Sequence, residues 1–325
     1  QGGFADYNLK SLENLEVVDQ TAVRPVVAHR NLNADFRAQA TGASMASISA
    51  TGVRDPLQRE GASLSLTALE NATDTGDLRI GQGASIEVDP GASISLTGRK
   101  RLAIEGTLVA RGGAVSASLE RRPDQDFDNL ATQGNLFLGD NAVIDVSGVA
   151  LTEVDDQGLT QGKVLSGGSV SLLAKAGALI TRADSRIDAS GAAPVTLGER
   201  NESGGLGRSV ASDAGSISLR GDNLFLDGAL RAQAGSTGQR GGSLEMGTAA
   251  VGSSPTDASV SLLSNNVTNV VLNNRLAPQA QGLTAASEIT GSSLQVATDP
   301  LEQAGFDRLR FTSSDGIALA DGLEL

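Results

Sequence analysis

The stretch GNLFLGDNAVIDVSG (Gly134–Gly148) is nearly rewritten as DNLFLDGALRAQAG (Asp222–Gly235). Its second half returns once more as SRIDASG (Ser185–Gly191). A chain that repeats a phrase with variable text between the copies reads as stacked units, each too small to bury its apolar face alone. The copies are introduced by a second recurring phrase: GASLSL from Gly61, GASIEV from Gly83, GASISL from Gly91, GGAVSASL from Gly112, GGSVSLL from Gly167, AGSISL from Ala214 and GGSLEMG from Gly241. Each is a small turn followed by alternating apolar and polar residues, the period of a strand with one buried face. One cycle is therefore strand, turn, strand, turn, strand, turn. It runs without interruption from Ala214 to Arg240, whereas the cycle that opens at Gly167 carries the polar excursion Leu197–Asp213.

Similar strands lie one whole cycle apart, so like stacks on like. This pattern predicts an all-β chain folded as a parallel β-helix, a solenoid with loop insertions, in which the rest of each coil supplies the crossover that parallel strands need. An antiparallel sandwich is the alternative, but hairpins would call for tight two-residue turns between neighbours. Composition agrees with the stack. The chain has 40 glycines, 2% aromatic residues and no Trp, which suits thin aliphatic layers with sharp corners. Residues 1–60 are expected to be an irregular segment leading into the rod, and 61–249 the core with insertions near 149–163 and 195–213. Residues 250–325 are expected to form further coils or a hairpin extension, with a short helix at Pro300–Ala304. The chain closes in strand-like text, an open edge, and is therefore expected to be a section of something longer.

The net charge of −13 argues against nucleic acid as a partner, since phosphate contacts need clustered Lys and Arg and only GRKRL at Gly98–Leu102 is basic. No apolar run is long enough for membrane insertion as a helix, and the absence of Cys excludes thiolate chemistry. His29 is the only histidine and reads as structural. Asp145 and Asp188 hold matching places in IDVSG and IDASG and are the best pair for acid–base hydrolysis. A turn role, accepting backbone N–H bonds, explains both more simply, and no catalytic residues are assigned. The acidic cluster Glu153, Asp155 and Asp156 could bind calcium through hard oxygen ligands, but a solvated loop accounts for it, and no cofactor is assigned. Asn71, Asn201 and Asn266 fit the glycosylation pattern, which arises readily by chance in so Ser/Thr-rich a chain. Both insertions follow an SG corner and should leave the stack at the same edge. Glu153, Asp155, Asp156, Glu199, Arg200 and Asn201 are therefore the candidate contact residues.

Gly83–Leu119, Ala142–Gly148, Gly167–Ile180 and Ala304–Leu319, above all IEGTLVARGGAV and AGFDRLRFTSSDG, resemble filamentous-haemagglutinin-type exoproteins of the two-partner secretion family. The resemblance covers roughly residues 55–325. It implies a right-handed β-helix, export across the outer membrane through a transporter partner, and a secreted or cell-surface location. It also implies adhesion to a glycan, host protein or biofilm matrix. The family's secretion domain carries Asn-Pro-Asn motifs. None occurs here, so the transporter-recognising part is expected outside this chain. A polysaccharide-degrading enzyme and a structural spacer without ligand are the alternatives on the same fold.

Overall fold

Leu66, Leu96, Ala117, Leu172, Leu219 and Met246 form one column of register partners. All six are almost fully buried. Each is the central inward residue of an alternating strand, so the column is the sequence repeat made spatial. The computed structural model describes residues 3–69, 76–120, 134–200, 206–248, 270–273, 282–287, 294–297, 301, 303–313 and 317–319. Among these the regular secondary structure is nearly all strand, and every pairing within the two large sheets is parallel.

Each cycle up to Arg231 contributes a strand to each of three rows. The first row holds Asp6–Ser11, Ser63–Ala68, Ser93–Gly98, Ala114–Leu119, the first parts of Ser169–Thr181 and Ser216–Leu226, then Gly242–Thr248 and Phe306–Ser313. The second begins with Leu15–Val17, Leu78–Ile80, Leu102–Ile104 and Leu136–Leu138. It continues through the later parts of the two long strands. The third holds Ala22–Val23, Ser85–Glu87, Thr107–Val109, Val143–Asp145, Arg186–Asp188 and Ala229–Arg231. One apolar cluster takes side chains from all three rows, including Leu66, Ile80 and Ile86. Burying an aliphatic side chain of this kind contributes about 1.5–3 kcal/mol.

The corners explain the glycines. A Cβ on Gly113 would lie 1.9 Å from the Ala92 carbonyl oxygen, on Gly168 2.0 Å from that of Gly113, and on Gly215 1.8 Å from that of Gly168. Each carbonyl instead accepts the N–H of the residue after the glycine above it: Ala114, Ser169 and Ser216 respectively. The Gly-Ser opening is thus a backbone contact between successive layers, with no room for a side chain. At the second-to-third-row corner the left-handed conformation recurs at Gln20, Gly83 and Asn141. Asn tolerates that region readily, whereas Gln20 does not, and its amide nitrogen bonds the Gln82 carbonyl of the next layer.

Several expectations are corrected. Residues 6–23 are not an irregular lead-in: they supply one strand to each row. Beyond Leu226 the order along the second row departs from the order in sequence, because Leu294–Ala297 lies between Ser216–Leu226 and Val270–Asn273. Ile317–Leu319 follows Val270–Asn273. Most of Pro255–Pro278 lies outside the described residues. Of the helix expected at Pro300–Ala304, the described part is a single turn in which the Ala304 N–H donates to the Leu301 carbonyl.

Phe137 and Phe225 also differ from the simplest reading of NLFL. Alternation turns Leu136 and Leu138 into the core and Phe137 away from it, in register with Ile180 and, beyond it, Phe225. This outer apolar column stays buried because residues 282–287 return to cover it, with Leu283 and Ala285 packed against the cluster of Phe137, Ala178, Ile180 and Phe225. Asn135 holds that strap. Its Nδ2 donates to the carbonyls of Thr284 (3.1 Å) and Ser287 (2.9 Å), and its Oδ1 accepts from Ala178 N (2.9 Å).

Candidate functional site

The three antiparallel hairpins among the described residues emerge at one corner, after a third-row strand and before a first-row strand. Ala28–Leu32 pairs with Ser49–Val53, Val149–Val154 with Thr160–Leu165, and Val195–Arg200 with Leu206–Val210. A solvent-facing corner tolerates insertion because the layers above and below keep their own pairings. The second and third hairpins pack side by side, so closely that a Cβ on Gly198 would come within 2.7 Å of Leu159 Cβ. The segment between the first hairpin and Ser63–Ala68 joins them, since Gln58 Nε2 donates to Glu153 Oε2 at 3.2 Å. That segment is anchored by a buried bidentate pair between Arg59 and Asp89. The Asp89 carboxylate also accepts the Ala62 N–H.

The predicted contact residues occupy this corner unequally. Glu153 is exposed on the Val149–Val154 strand, and Asp155 and Asp156 form the hairpin tip. Asp155 is committed to the hairpin itself. Its Oδ1 accepts from Leu159 N and Gln157 N and its Oδ2 from Gln161 Nε2, and these bonds, led by that of Leu159, hold its carboxyl below the ordinary carboxylate range. Among the described residues no cluster of three or more His, Asp or Glu side chains is arranged to hold a metal ion. Glu199 and Arg200 end the Val195–Arg200 strand. Asn201 lies outside the described residues, as do Asn71 and Asn266.

Asp145 and Asp188 are register neighbours, but each is engaged locally. Asp145 Oδ1 accepts from Ser147 N (2.9 Å) and Ser147 Oγ (2.6 Å), and its Oδ2 lies 3.3 Å from Arg111 Nε. Asp188 Oδ1 accepts from Ser190 N (3.0 Å). These are turn-forming carboxylates, the role DVS and DAS suggest. His29 lies opposite Gly52 in the first hairpin, with its Nε2 buried and lacking a hydrogen-bond partner.

Beneath the hairpins the glycine ladder leaves a polar groove of about 590 Å³. Its floor is backbone from Gly113, Gly168, Gly215 and Gly242, and its walls include Ser169, Ser216, Ser243, Asp213, Arg240, Asp307 and Arg308. Arg240 closes on Asp213 twice, through Nε at 3.0 Å and through its own backbone N–H at 2.9 Å. The backbone bond leads, with the guanidinium, in holding the Asp213 carboxyl below its usual range. Asp307 Oδ2 accepts the Gly241 N–H at 2.7 Å. Carboxylate acceptors, guanidinium donors and serine hydroxyls thus line one open channel, a set that can bond a chain of hydroxyls but includes no apolar ring for stacking. Sequence reading passed over this groove. Its signal was the run of Gly-Ser openings, each preceded by a polar corner residue.

No family model, curated protein or solved structure matches this chain. No helix among the described residues is long and apolar enough to cross a membrane.

Proposed function

We propose that this chain is a section of a large secreted or cell-surface bacterial adhesin, folded as a right-handed parallel β-helix that acts as a stiff rod. The observation that carries this reading is the gathering of three hairpins and the polar groove at one corner of the parallel stack. Among the described residues the antiparallel hairpins that individualise the chain all leave the stack at this corner. Export would use an outer-membrane transporter that reads a part of the protein beyond this chain, as the family resemblance implies.

The ligand is a glycan or a host or matrix protein that meets the hairpins and lays polar groups along the groove. A shallow groove without ring stacking gives weak binding per site, so attachment would depend on many rods acting together. The local engagement of Asp145 and Asp188 favours this over polysaccharide cleavage.

The test is an array of glycans and matrix proteins probed with the 325-residue chain, with bound glycans checked by mass spectrometry. The expected result is binding without cleavage, reduced at least several-fold by Arg240→Ala or by shortening the 155–158 hairpin tip. Cleavage of a bound glycan, or binding indifferent to both changes, would contradict the proposal.

A further inference from the structure

The polar groove runs along the stacking direction, across the strands rather than with them. Ser169, Ser216, Ser243 and Arg308 on its walls are successive register partners in the first row, one to a layer. Counted from Gly113 through Gly168, Gly215 and Gly242 to Arg308 it crosses four layer spacings of about 4.8 Å, or roughly 19 Å. Its bonding groups suit hydroxyls. The Ser169, Ser216 and Ser243 hydroxyls have no hydrogen-bond partner among the described residues, and Arg308 is exposed with no ion pair among them. Asp213 and Asp307 accept the backbone N–H groups of Arg240 and Gly241, which fixes both carboxylates and leaves lone pairs for further donors. The charges balance, Arg240 and Arg308 against Asp213 and Asp307, in a chain of net charge −13. Such a lining gives a polyanion no net attraction, and either carboxylate repels an acidic group laid beside it.

We propose that the groove binds an internal segment of a neutral, extended polysaccharide, one sugar ring to each layer, a ligand assignment that rests on the groove being an attachment site. In an extended pyranose chain each ring advances by close to one layer spacing. Successive rings therefore meet the same glycine floor and the next wall residue. That floor is bare backbone, closed to any side chain at Gly168 and Gly215 by the carbonyl of the layer beside it, so a chain can lie close against it. Sugar hydroxyls donate and accept at once: they can bond the serine hydroxyls, accept from Arg308 and donate to Asp213 and Asp307. No aromatic residue lines the groove. Contact is then made by hydroxyl edges, weak for one ring and accumulating along the chain.

The test is calorimetric titration of the 325-residue chain with cello-, manno-, xylo- and laminari-oligosaccharides, from a single ring to about six, beside heparin and polygalacturonate. For at least one neutral series the affinity should climb with each added ring, by about tenfold or more in all, and level off at about five rings. It should change less than about twofold when salt is raised about tenfold. Ser216→Leu places a larger side chain in mid-groove at an exposed position, and should weaken binding at least about tenfold with the melting temperature unchanged. Ser95→Leu, outward on the same row but outside the groove, should leave binding as it is. Full affinity for a single ring, preference for heparin or polygalacturonate, a steep loss with salt, indifference to Ser216→Leu, or no binding of any neutral series would overturn the proposal. In each of those cases capture of a protein or a charged glycan on the array would leave the attachment reading standing, whereas an array without any binding would contradict both.

Discussion

Asp145 and Asp188 stand side by side in adjacent layers, each tied to the backbone N–H two residues ahead of it. The repeated phrase IDxSG therefore encodes a corner that is copied, layer on layer, with a serine completing each turn. Two carboxylates in neighbouring strands could otherwise pass for a catalytic pair. Their hydrogen bonds show what the repetition is for.

The glycine ladder should be the least tolerant part of the chain. Gly215→Ala would place a methyl group 1.8 Å from the Gly168 carbonyl oxygen, and relief requires parting two layers. The expected loss is about 2–4 kcal/mol. Gly158→Ala, at the hairpin tip with nothing within 4 Å of the added atom, should cost only about 1 kcal/mol through its positive φ. Chemical denaturation of the two variants checks the contrast.

Asp89→Ala should be more damaging than the removal of any exposed ion pair. It leaves the Arg59 guanidinium buried without its carboxylate, and the Ala62 N–H without an acceptor. A loss of about 3–5 kcal/mol is expected. Arg24→Ala, which breaks the exposed pair with Glu87, should change stability by less than about 1 kcal/mol. Thermal unfolding of both variants reads the difference.

Asn135→Ala should release the strap over the outer apolar column. It removes both donors to Thr284 and Ser287 and leaves Ala178 N unsatisfied. The expected cost is about 1–3 kcal/mol. Binding of a hydrophobic dye should rise as Phe137 and Phe225 lose their cover, and limited proteolysis should cut near 282–287 before the layers unfold.

Acid should destabilise the chain through a small set of carboxylates. The Asp213 carboxyl lies below its ordinary range because of the Arg240 backbone N–H and guanidinium. The Glu120 carboxyl, which burial pushes up, is brought down on balance by donation from Lys175 and Ser118. A depressed folded-state pKa gives stability that is complete above the unfolded value, near about 4, and is lost as pH falls through the folded value. Melting temperature should therefore drop below about pH 4, and less steeply in the Asp213→Asn, Glu120→Gln double variant. That comparison separates these groups from the general relief of repulsion that acid brings to a chain of net charge −13. Equal slopes would contradict the assignment.

The rows of strands were legible because alternation and corner chemistry act locally: SVSL and SISL each announce which residues point inward, and Gly-Ser marks where backbone meets backbone. The second and third hairpins were legible only as insertions, since nothing in VALTEV or TQGKVL fixes their partner except each other, and the first lay hidden in the segment expected to be irregular. Three features were hidden for physical reasons. The strand Asp6–Ser11 lacks the Gly-Ser opening that marks most of the other first-row strands. Phe137 and Phe225 look like core residues in any apolar run, and only the long-range return of 282–287 makes their outward position tolerable. The groove is lined by Asp213, Arg240 and Asp307, which meet because cycles of unequal length end at the same corner.

The central claim is that residues one cycle apart are immediate neighbours in parallel layers, with the antiparallel hairpins among the described residues gathered at one corner. Ser116 and Ser171 test it most directly, being register partners on the outer side of the first row, with residues 121–133 and a whole hairpin between them in sequence. Their Cα atoms should lie about 4.8 Å apart, so Ser116→Cys with Ser171→Cys should form a disulfide in an otherwise cysteine-free chain. Ser116→Cys with Ser218→Cys, two layers apart at about 9.6 Å, should remain reduced. Cross-linking of the second pair in preference to the first would contradict the layered register on which the whole account stands.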